Sequence, residues 1–181
     1  LGVNRQGATV VGERPYVFTR IAGPVAVGER VRRELTAIVR LLAGVFRVRG
    51  LASLDVLLDG DTVEVLELNP RPPASLVLYP QAFAAHLRAC EQGELPAVQP
   101  FDRRVRGSEI VFAARPVEID AARAEALAAV PGACDLPRAG TRIGAGDPAC
   151  SVFAEGDSED TMNDRLEARR AAVSALLETS P

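Results

Sequence analysis

The hydrophobic positions of this chain recur with two periods, one typical of strands and the other typical of helices. Residues 1–11 and Tyr16–Arg20 follow the strand pattern. A helix is predicted over residues 28–44, where Gly44 is a typical stop and the apolar positions recur every three or four residues. These apolar positions are Val31, Leu35, Ile38, Leu41 and Leu42.

Residues 45–69 are predicted to form a β-hairpin, because two apolar runs flank the tight turn Asp59-Gly60-Asp61. A second helical pattern runs from Ser75 to Gln92, with Pro80 either in its first turns or at the start of a separate helix. The predicted buried face of this helix contains Leu78, Phe83, Ala84, Leu87 and Cys90.

Residues 91–107 lack periodicity and are rich in proline and charge, which predicts a domain boundary. Beyond it we expect a strand at 108–119, an alanine-rich helix at 120–130, small β structure, and a final helix capped by Ser158. The fold class predicted is α+β, with one domain over residues 1–96 and a smaller α/β domain over residues 97–181.

Composition indicates a soluble globular protein, since 48% of the 181 residues are hydrophobic and 25% are charged. A net charge of −3 gives no reason to expect nucleic acid or an acidic membrane as a partner, and no apolar run has the length of a membrane span. The three cysteines are far apart and odd in number, which favours reduced thiols in a cytoplasmic protein.

All 21 basic residues are arginines, so a phosphate loop that depends on lysine is excluded within this sequence. The sequence opens on Leu1 rather than methionine, and its first residues read like the interior of a protein. We therefore expect residues upstream of this segment.

The predicted hairpin carries polar residues where a buried strand would be apolar: Asp55 in the first run, Glu67 in the second, then Asn69 and Arg71. Its turn decides which of them share a face. A two-residue Asp59-Gly60 turn puts Asp55 and Glu67 on opposite faces, and a four-residue loop over 59–62 sets Asp55 beside residue 66.

A three-residue loop, 58–60, places Asp55, Glu67 and Asn69 on one face, and this is the register we predict. Two carboxylates and an amide oxygen suit Mg²⁺, which is usually held by one or two carboxylates plus nucleotide phosphates. The guanidinium of Arg71 suits a phosphoryl group or a carboxylate. The competing interpretation is that Asp55 faces solvent and Glu67 pairs with an arginine.

The segment "GLASLDVLLDGDTVEVLELNPRPPAS" resembles the C-terminal part of the ATP-grasp fold, whose last strands carry an acidic residue followed by Glu-x-Asn-x-Arg. With "LGVNRQ", "HLRACEQGELP" and "RAGTRIGAGDPACSVFAEG", the chain is similar over most of its length to predicted ATP-dependent carboligases, some linked to tetrahydromethanopterin-dependent one-carbon metabolism.

This resemblance implies that residues 1–96 are an ATP-grasp C-terminal subdomain, an antiparallel sheet with flanking helices. It implies that Asp55, Glu67 and Asn69 bind Mg²⁺, and that Asn69 and Arg71 contact ATP. Arg71 is the implied catalytic residue, which steadies the transferred phosphate. The implied reaction activates a small carboxylate as an acyl-phosphate, which an amine then attacks.

The lysine-bearing N-terminal ATP-grasp half is missing from this sequence, so we expect the segment alone to bind ATP poorly and to be inactive. A homodimer is compatible with the sequence. The alternative is a non-catalytic binding or scaffold module that keeps the fold of an ATP-grasp half. Elsewhere, His86 and Cys90 are interpreted as structural, since zinc needs more ligands than these two.

Overall fold

The computed structural model describes residues 1–94 and 104–179. These residues divide into two compact units. Residues 26–94 form the first, and residues 2–25 together with 104–179 form the second.

The second unit is built on a five-stranded antiparallel sheet with the order β1-β2-β5-β9-β7. Its strands are β1 (Arg5–Val11), β2 (Arg14–Gly23), β5 (Val105–Phe112), β7 (Ala133–Cys134) and β9 (Pro148–Gly156). The short strands β6 (Val117–Glu118) and β8 (Arg142–Ile143) pair with each other beside it.

Two helices complete the second unit: α3 (Ala121–Ala128), and α4 (Glu159–Glu178), which packs on β5 and β9. The hydroxyl of Ser158 accepts the backbone N–H of Thr161 at 3.1 Å and thereby caps α4, as predicted. Asp120 caps α3 in the same way, accepting the N–H of Arg123 at 2.7 Å.

The hydrophobic core of the chain lies in this second unit, between the sheet and α4. Gly107 shows how close the two layers are, because a Cβ added there would lie 2.4 Å from the Sδ of Met162. The most deeply buried side chains of this core are Ile119, Leu127, Val152, Met162, Leu166 and Val173.

The predicted α+β class is confirmed, but the structure divides the chain differently from the prediction. The boundary at residues 96 and 97 itself lies outside the described residues. Strand β2 pairs with β5, with Ala22 opposite Gly107, so residues 2–25 join the C-terminal sheet rather than residues 26–94. Sequence order favoured the opposite grouping, because a pairing between distant segments leaves no local pattern.

The first unit contains helix α1, a β-hairpin, a 3₁₀ turn and helix α2. Their bounds are α1 (Glu29–Val45), β3 (Ser53–Asp59), β4 (Thr62–Asn69), the 3₁₀ turn Ala74–Leu78, and α2 (Ala82–Gln92). Pro80 lies between the 3₁₀ turn and α2, so the pattern from Ser75 to Gln92 is two elements, one of the two outcomes the sequence allowed. Gly93 ends α2 with φ at +71°.

The predicted buried face of α2 is wrong apart from Leu78, which lies in the 3₁₀ turn and is fully buried. Phe83 is 52% exposed and Leu87 is 44% exposed, whereas the small residues Ala82 and Ala89 face inward. Side-chain size and periodicity selected the wrong stripe, because they do not indicate which stripe a neighbouring element covers.

Among the described helices, none combines the length and the apolarity needed to cross a bilayer.

Candidate functional site

The hairpin β3–β4 has a two-residue turn, Gly60-Asp61. Leu58 pairs with Val63 and Asp59 pairs with Thr62, so the predicted three-residue loop is wrong. Gly60 has φ at +56°, a conformation that glycine adopts without a steric penalty. If this register continued without interruption, Asp55 would lie opposite Leu66 rather than opposite another carboxylate.

A β-bulge restores the predicted arrangement by another route. The register shifts by one residue between Asp55 and Val56. Val56 pairs with Val65 and Asp55 pairs with Glu67, so Leu66 is the extra residue. The two carboxylates are therefore direct cross-strand neighbours on one face, closer than the predicted loop would have placed them. The predicted shared face of Asp55 and Glu67 is confirmed.

The pairing gives the hairpin one polar face and one apolar face. The polar face consists of Ser53, Asp55, Leu57 and Asp59 on β3 with Thr62, Glu64, Glu67 and Asn69 on β4. The apolar face consists of Leu54, Val56, Leu58, Val63, Val65 and Leu68. Helix α1 packs against β4 within this unit.

Asn69 contacts Glu67 directly along the polar face. The Nδ2 of Asn69 donates a hydrogen bond to Oε1 of Glu67 at 2.7 Å, which orients both side chains. Because the amide uses its nitrogen here, its carbonyl oxygen is the atom available to a cation. On the opposite strand Ser53 pairs with Asn69, so a hydroxyl lies on the same face next to Asp55.

The electrostatics of the pair show crowded negative charge. The pKa of Asp55 is raised above its usual value, first by burial and then by the charge and the hydrogen-bonding group of Glu67. The positive charge of Arg71 acts in the opposite direction and lowers this pKa. Burial and the neighbouring Glu67 therefore disfavour ionisation of Asp55, and the charge of Arg71 does not fully offset this effect.

Arg71 follows β4 in a segment that ends the strand abruptly. Its backbone N–H donates to the carbonyl of Asn69 at 2.9 Å, forming a tight turn between Pro70 and Pro72. Prolines cannot continue the ladder of hydrogen bonds, so the chain leaves the sheet here. The side chain of Arg71 is exposed just beyond the end of β4, close enough for its charge to lower the pKa of Asp55.

The donor set fits a hard cation whose remaining ligands come from elsewhere. In residues 1–94 and 104–179 no group of three or more histidines, cysteines or acidic residues is arranged to hold a metal. Two carboxylates and an amide oxygen do not form a complete cage, but they match the partial set that proteins offer to Mg²⁺ with a nucleotide. The uncompensated charge at Asp55 is the feature that a cation would neutralise.

We predict that Asp55→Asn stabilises the chain at neutral pH in the absence of metal. The raised pKa means that the ionised carboxylate is disfavoured in the folded state, so the wild type loses stability as pH rises through the titration of Asp55. Urea unfolding should show the variant with the higher midpoint at pH 7 and equal midpoints at a pH below the unfolded value of 3.8. Equal midpoints at pH 7 would contradict the raised pKa of Asp55.

His86 and Cys90 lie on α2 and contact residues 49–51. The glycine-rich loop before Pro148 is closed by its own hydrogen bond, from the N–H of Gly144 to Asp147 at 3.2 Å. Sequence reasoning missed Ser53, whose place opposite Asn69 depends on the bulge and has no signal in local sequence.

The sequence matches no protein-family model and no curated protein. Its three-dimensional structure is similar to that of N5-carboxyaminoimidazole ribonucleotide synthetase from Thermus thermophilus, at 20% identity and a TM-score of 0.61, covering 98% of this chain and 46% of that one. It is also similar to phosphoribosylamine–glycine ligase from Thermotoga maritima, at 17% identity and a TM-score of 0.63, covering 95% and 48%.

A third similar structure is N5-carboxyaminoimidazole synthase from Aspergillus clavatus, in complex with ADP and 5-aminoimidazole ribonucleotide. It is 16% identical, with a TM-score of 0.64, and the match covers 87% of this chain and 44% of that one. These enzymes have the ATP-grasp fold, and the predicted fold is therefore confirmed. The chain spans about half the length of each of these structures.

Proposed function

We propose that this chain is the metal-binding half of an ATP- and Mg²⁺-dependent carboxylate ligase. The observation that carries the proposal is the direct pairing of Asp55 with Glu67, beside Asn69 and Arg71, on a hairpin of an ATP-grasp fold. A bulge that aligns two carboxylates against their mutual repulsion is a feature expected of a functional site.

Asp55, Glu67 and the amide oxygen of Asn69 would hold Mg²⁺, and the ion would supply positive charge next to the phosphate oxygens of ATP. Asn69 also orients Glu67 through its 2.7 Å hydrogen bond. Arg71 would contact the phosphoryl group that leaves ATP and would stabilise its charge during transfer to the carboxylate. These roles require the exposure that Glu67 and Arg71 have.

The substrates belong to the proposal at the level of chemical class. A small carboxylate would be activated as an acyl-phosphate and joined to an amine, in line with the ligase named among the similar structures. The link to tetrahydromethanopterin stays a prediction from sequence resemblance, since no described contact bears on it. A cytoplasmic location and a homodimer likewise stay predictions.

The partner in this proposal is the lysine-bearing N-terminal half of the ATP-grasp fold. Residues 26–94 expose many large apolar side chains, and in this proposal the N-terminal half would cover them. The large exposed side chains are Val39, Leu41, Val45, Phe46, Leu57, Leu58, Val65, Leu66, Val77, Phe83 and Leu87. With no lysine of its own, the chain would depend on that partner for nucleotide binding.

Paramagnetic Mn²⁺, which replaces Mg²⁺ at oxygen sites, tests the metal assignment on the 181-residue chain itself. In a two-dimensional NMR spectrum, low Mn²⁺ concentrations should first broaden the amide signals of residues 53–55, 67–69 and 71. The amide of Asp61 at the hairpin tip is the internal control, because an ion attracted by general negative charge would broaden it equally. Uniform broadening along the hairpin would contradict a defined site.

A scaffold module without catalysis is the alternative, and turnover separates the two. The ligase proposal requires that the longer protein release ADP in the presence of Mg²⁺, ATP and a suitable carboxylate. A panel of small carboxylic acids and amines, with ADP release as the readout, identifies the substrates at the same time. Localised Mn²⁺ binding without any ADP release across the panel would support the scaffold.

A further inference from the structure

Ser53 begins β3 and lies on the polar face of the hairpin, beside the two paired carboxylates. It pairs with Asn69 on the opposite strand. Two residues further along β3, Asp55 pairs with Glu67, so the four side chains form two neighbouring cross-strand pairs on one face. Directly opposite side chains have Cβ atoms about 4.5–5.5 Å apart, which brings these four residues, the polar quartet, close enough to surround one ion.

The β-bulge is what brings Ser53 into the polar quartet. If the register at the tip of the hairpin continued without interruption, Ser53 would lie opposite Leu68. Because Leu66 is the extra residue, Ser53 lies opposite Asn69 instead. One irregularity of the strand therefore aligns both pairs, and a hydroxyl joins the set together with the carboxylates.

Within residues 1–94 and 104–179, the hydroxyl of Ser53 has no hydrogen-bond partner. Ser53, Asp55 and Asn69 are half-buried, whereas Thr62, near the tip of the same face, is exposed. The end of the hairpin that holds the polar quartet is thus the less exposed end of the polar face. Its serine oxygen is not engaged by the described part of the chain and is available to a bound group.

We propose that Ser53 is a further ligand of the Mg²⁺ ion and that its hydroxyl oxygen contacts the ion directly, beside the other oxygens of the polar quartet. This inference rests on the proposed function, because it adds a residue to that metal site. Serine and threonine hydroxyls bind Mg²⁺ in other proteins where the ion also binds nucleotide phosphates. A hydroxyl is neutral, so it adds an oxygen ligand without adding negative charge to the pair of Asp55 and Glu67.

Removal of the hydroxyl tests the proposal on the 181-residue chain. In Mn²⁺ titrations followed by broadening of the Asp55 and Glu67 amide signals, Ser53→Ala should weaken binding about tenfold. Ser53→Thr keeps a hydroxyl at the same position and should bind Mn²⁺ as the wild type does. Thr62→Val is the matched control, because it removes a hydroxyl from the same face near Asp59, and it should leave the Mn²⁺ affinity unchanged.

The variant Ser53→Cys distinguishes direct contact with the ion from a structural role. A thiol has nearly the shape of a hydroxyl, but its sulfur is a soft ligand that suits Cd²⁺ better than Mn²⁺. Ser53→Cys should bind Mn²⁺ about tenfold more weakly than the wild type and Cd²⁺ at least about tenfold more tightly, measured from the Asp55 and Glu67 amide shifts. The three natural cysteines are present in both proteins, so Cd²⁺ binding by them appears in the wild-type titration as well.

The outcomes distinguish this inference from the proposed function. If the wild type shows localised Mn²⁺ broadening and Ser53→Ala has the same affinity, Ser53 is not a ligand, while the metal site proposed above stands. If Ser53→Ala weakens Mn²⁺ binding but Ser53→Cys gains no affinity for Cd²⁺, the hydroxyl does not touch the ion and the proposed contact is wrong.

Absence of localised broadening in the wild type would contradict the metal site itself, and this inference would fail with it. Circular dichroism shows whether each variant is folded. If Ser53→Ala does not fold, the Ser53→Thr and Ser53→Cys variants still decide, because the proposal requires the first to keep Mn²⁺ binding and the second to exchange it for Cd²⁺ binding.

Discussion

We expect Glu67→Gln to reduce Mg²⁺-dependent ADP release at least about a hundredfold in the longer protein that the proposed function requires. The substitution keeps the size of the side chain and its hydrogen bond with Asn69, but removes the negative charge that would hold the ion. Without the ion, the transferring phosphoryl group loses an electrostatic contact, and a loss of this kind reduces turnover by about a hundredfold or more. The matching result on the 181-residue chain is the loss of localised Mn²⁺ broadening at residues 53–55, 67–69 and 71.

Glu64→Gln is the matched control for this experiment. Glu64 lies on the same polar face of β4, is also exposed, and pairs with Leu57 rather than with a carboxylate. Its substitution removes the same charge from the same strand, so turnover and Mn²⁺ broadening should stay at the wild-type level. Equal losses in both variants would mean that the overall charge of the face matters rather than a defined ion site.

The sequence identified the polar residues of the hairpin, but it did not predict the turn or the register that bring them together. Asp55, Glu67, Asn69 and Arg71 stand out because polar residues interrupt apolar runs, and this contrast is visible without a structure. The turn and the bulge were not predictable from local sequence. The register, and with it the extra residue at Leu66, depends on how the two strands pair along their whole length.

Helix α2 of the first unit illustrates a second limit. The stripe of Phe83 and Leu87 on α2 has the spacing of a buried face, yet both side chains are exposed. Periodicity identifies an apolar stripe but not the polypeptide that covers it. In the proposed assembly such stripes would be covered by the missing half, so the prediction of burial would be wrong for this segment alone.

The N-terminal strands illustrate a third limit. Strand β2 follows β1 in sequence and both precede α1, but β2 pairs with β5, which begins at Val105. Hydrophobic patterning predicts that a segment is a strand, but it does not predict which other strand it pairs with. Local features such as the Ser158 cap were predictable, because every interaction they need lies within a few residues.

Leu166→Ala should have the largest effect on stability, and it tests where the core lies. Leu166 is 0% exposed and belongs to the cluster between the sheet and α4. Truncating a buried leucine removes apolar contacts and leaves a cavity, which costs about 2–5 kcal/mol of unfolding free energy. The chain contains no tryptophan, so circular dichroism is the suitable signal for urea unfolding. The variant should unfold at a much lower urea concentration than the wild type.

Leu41→Ala is the control, and it also separates folding from assembly. Leu41 is 65% exposed on α1, so its truncation should change the unfolding free energy of the isolated chain by no more than about 0.5 kcal/mol. In the proposed complex with the N-terminal half, the same side chain would be buried, and its loss should weaken association. If the substitution leaves the unfolding free energy of the isolated chain unchanged but weakens association, the partner binds the exposed face of residues 26–94. If the substitution changes neither unfolding nor association, the partner binds elsewhere.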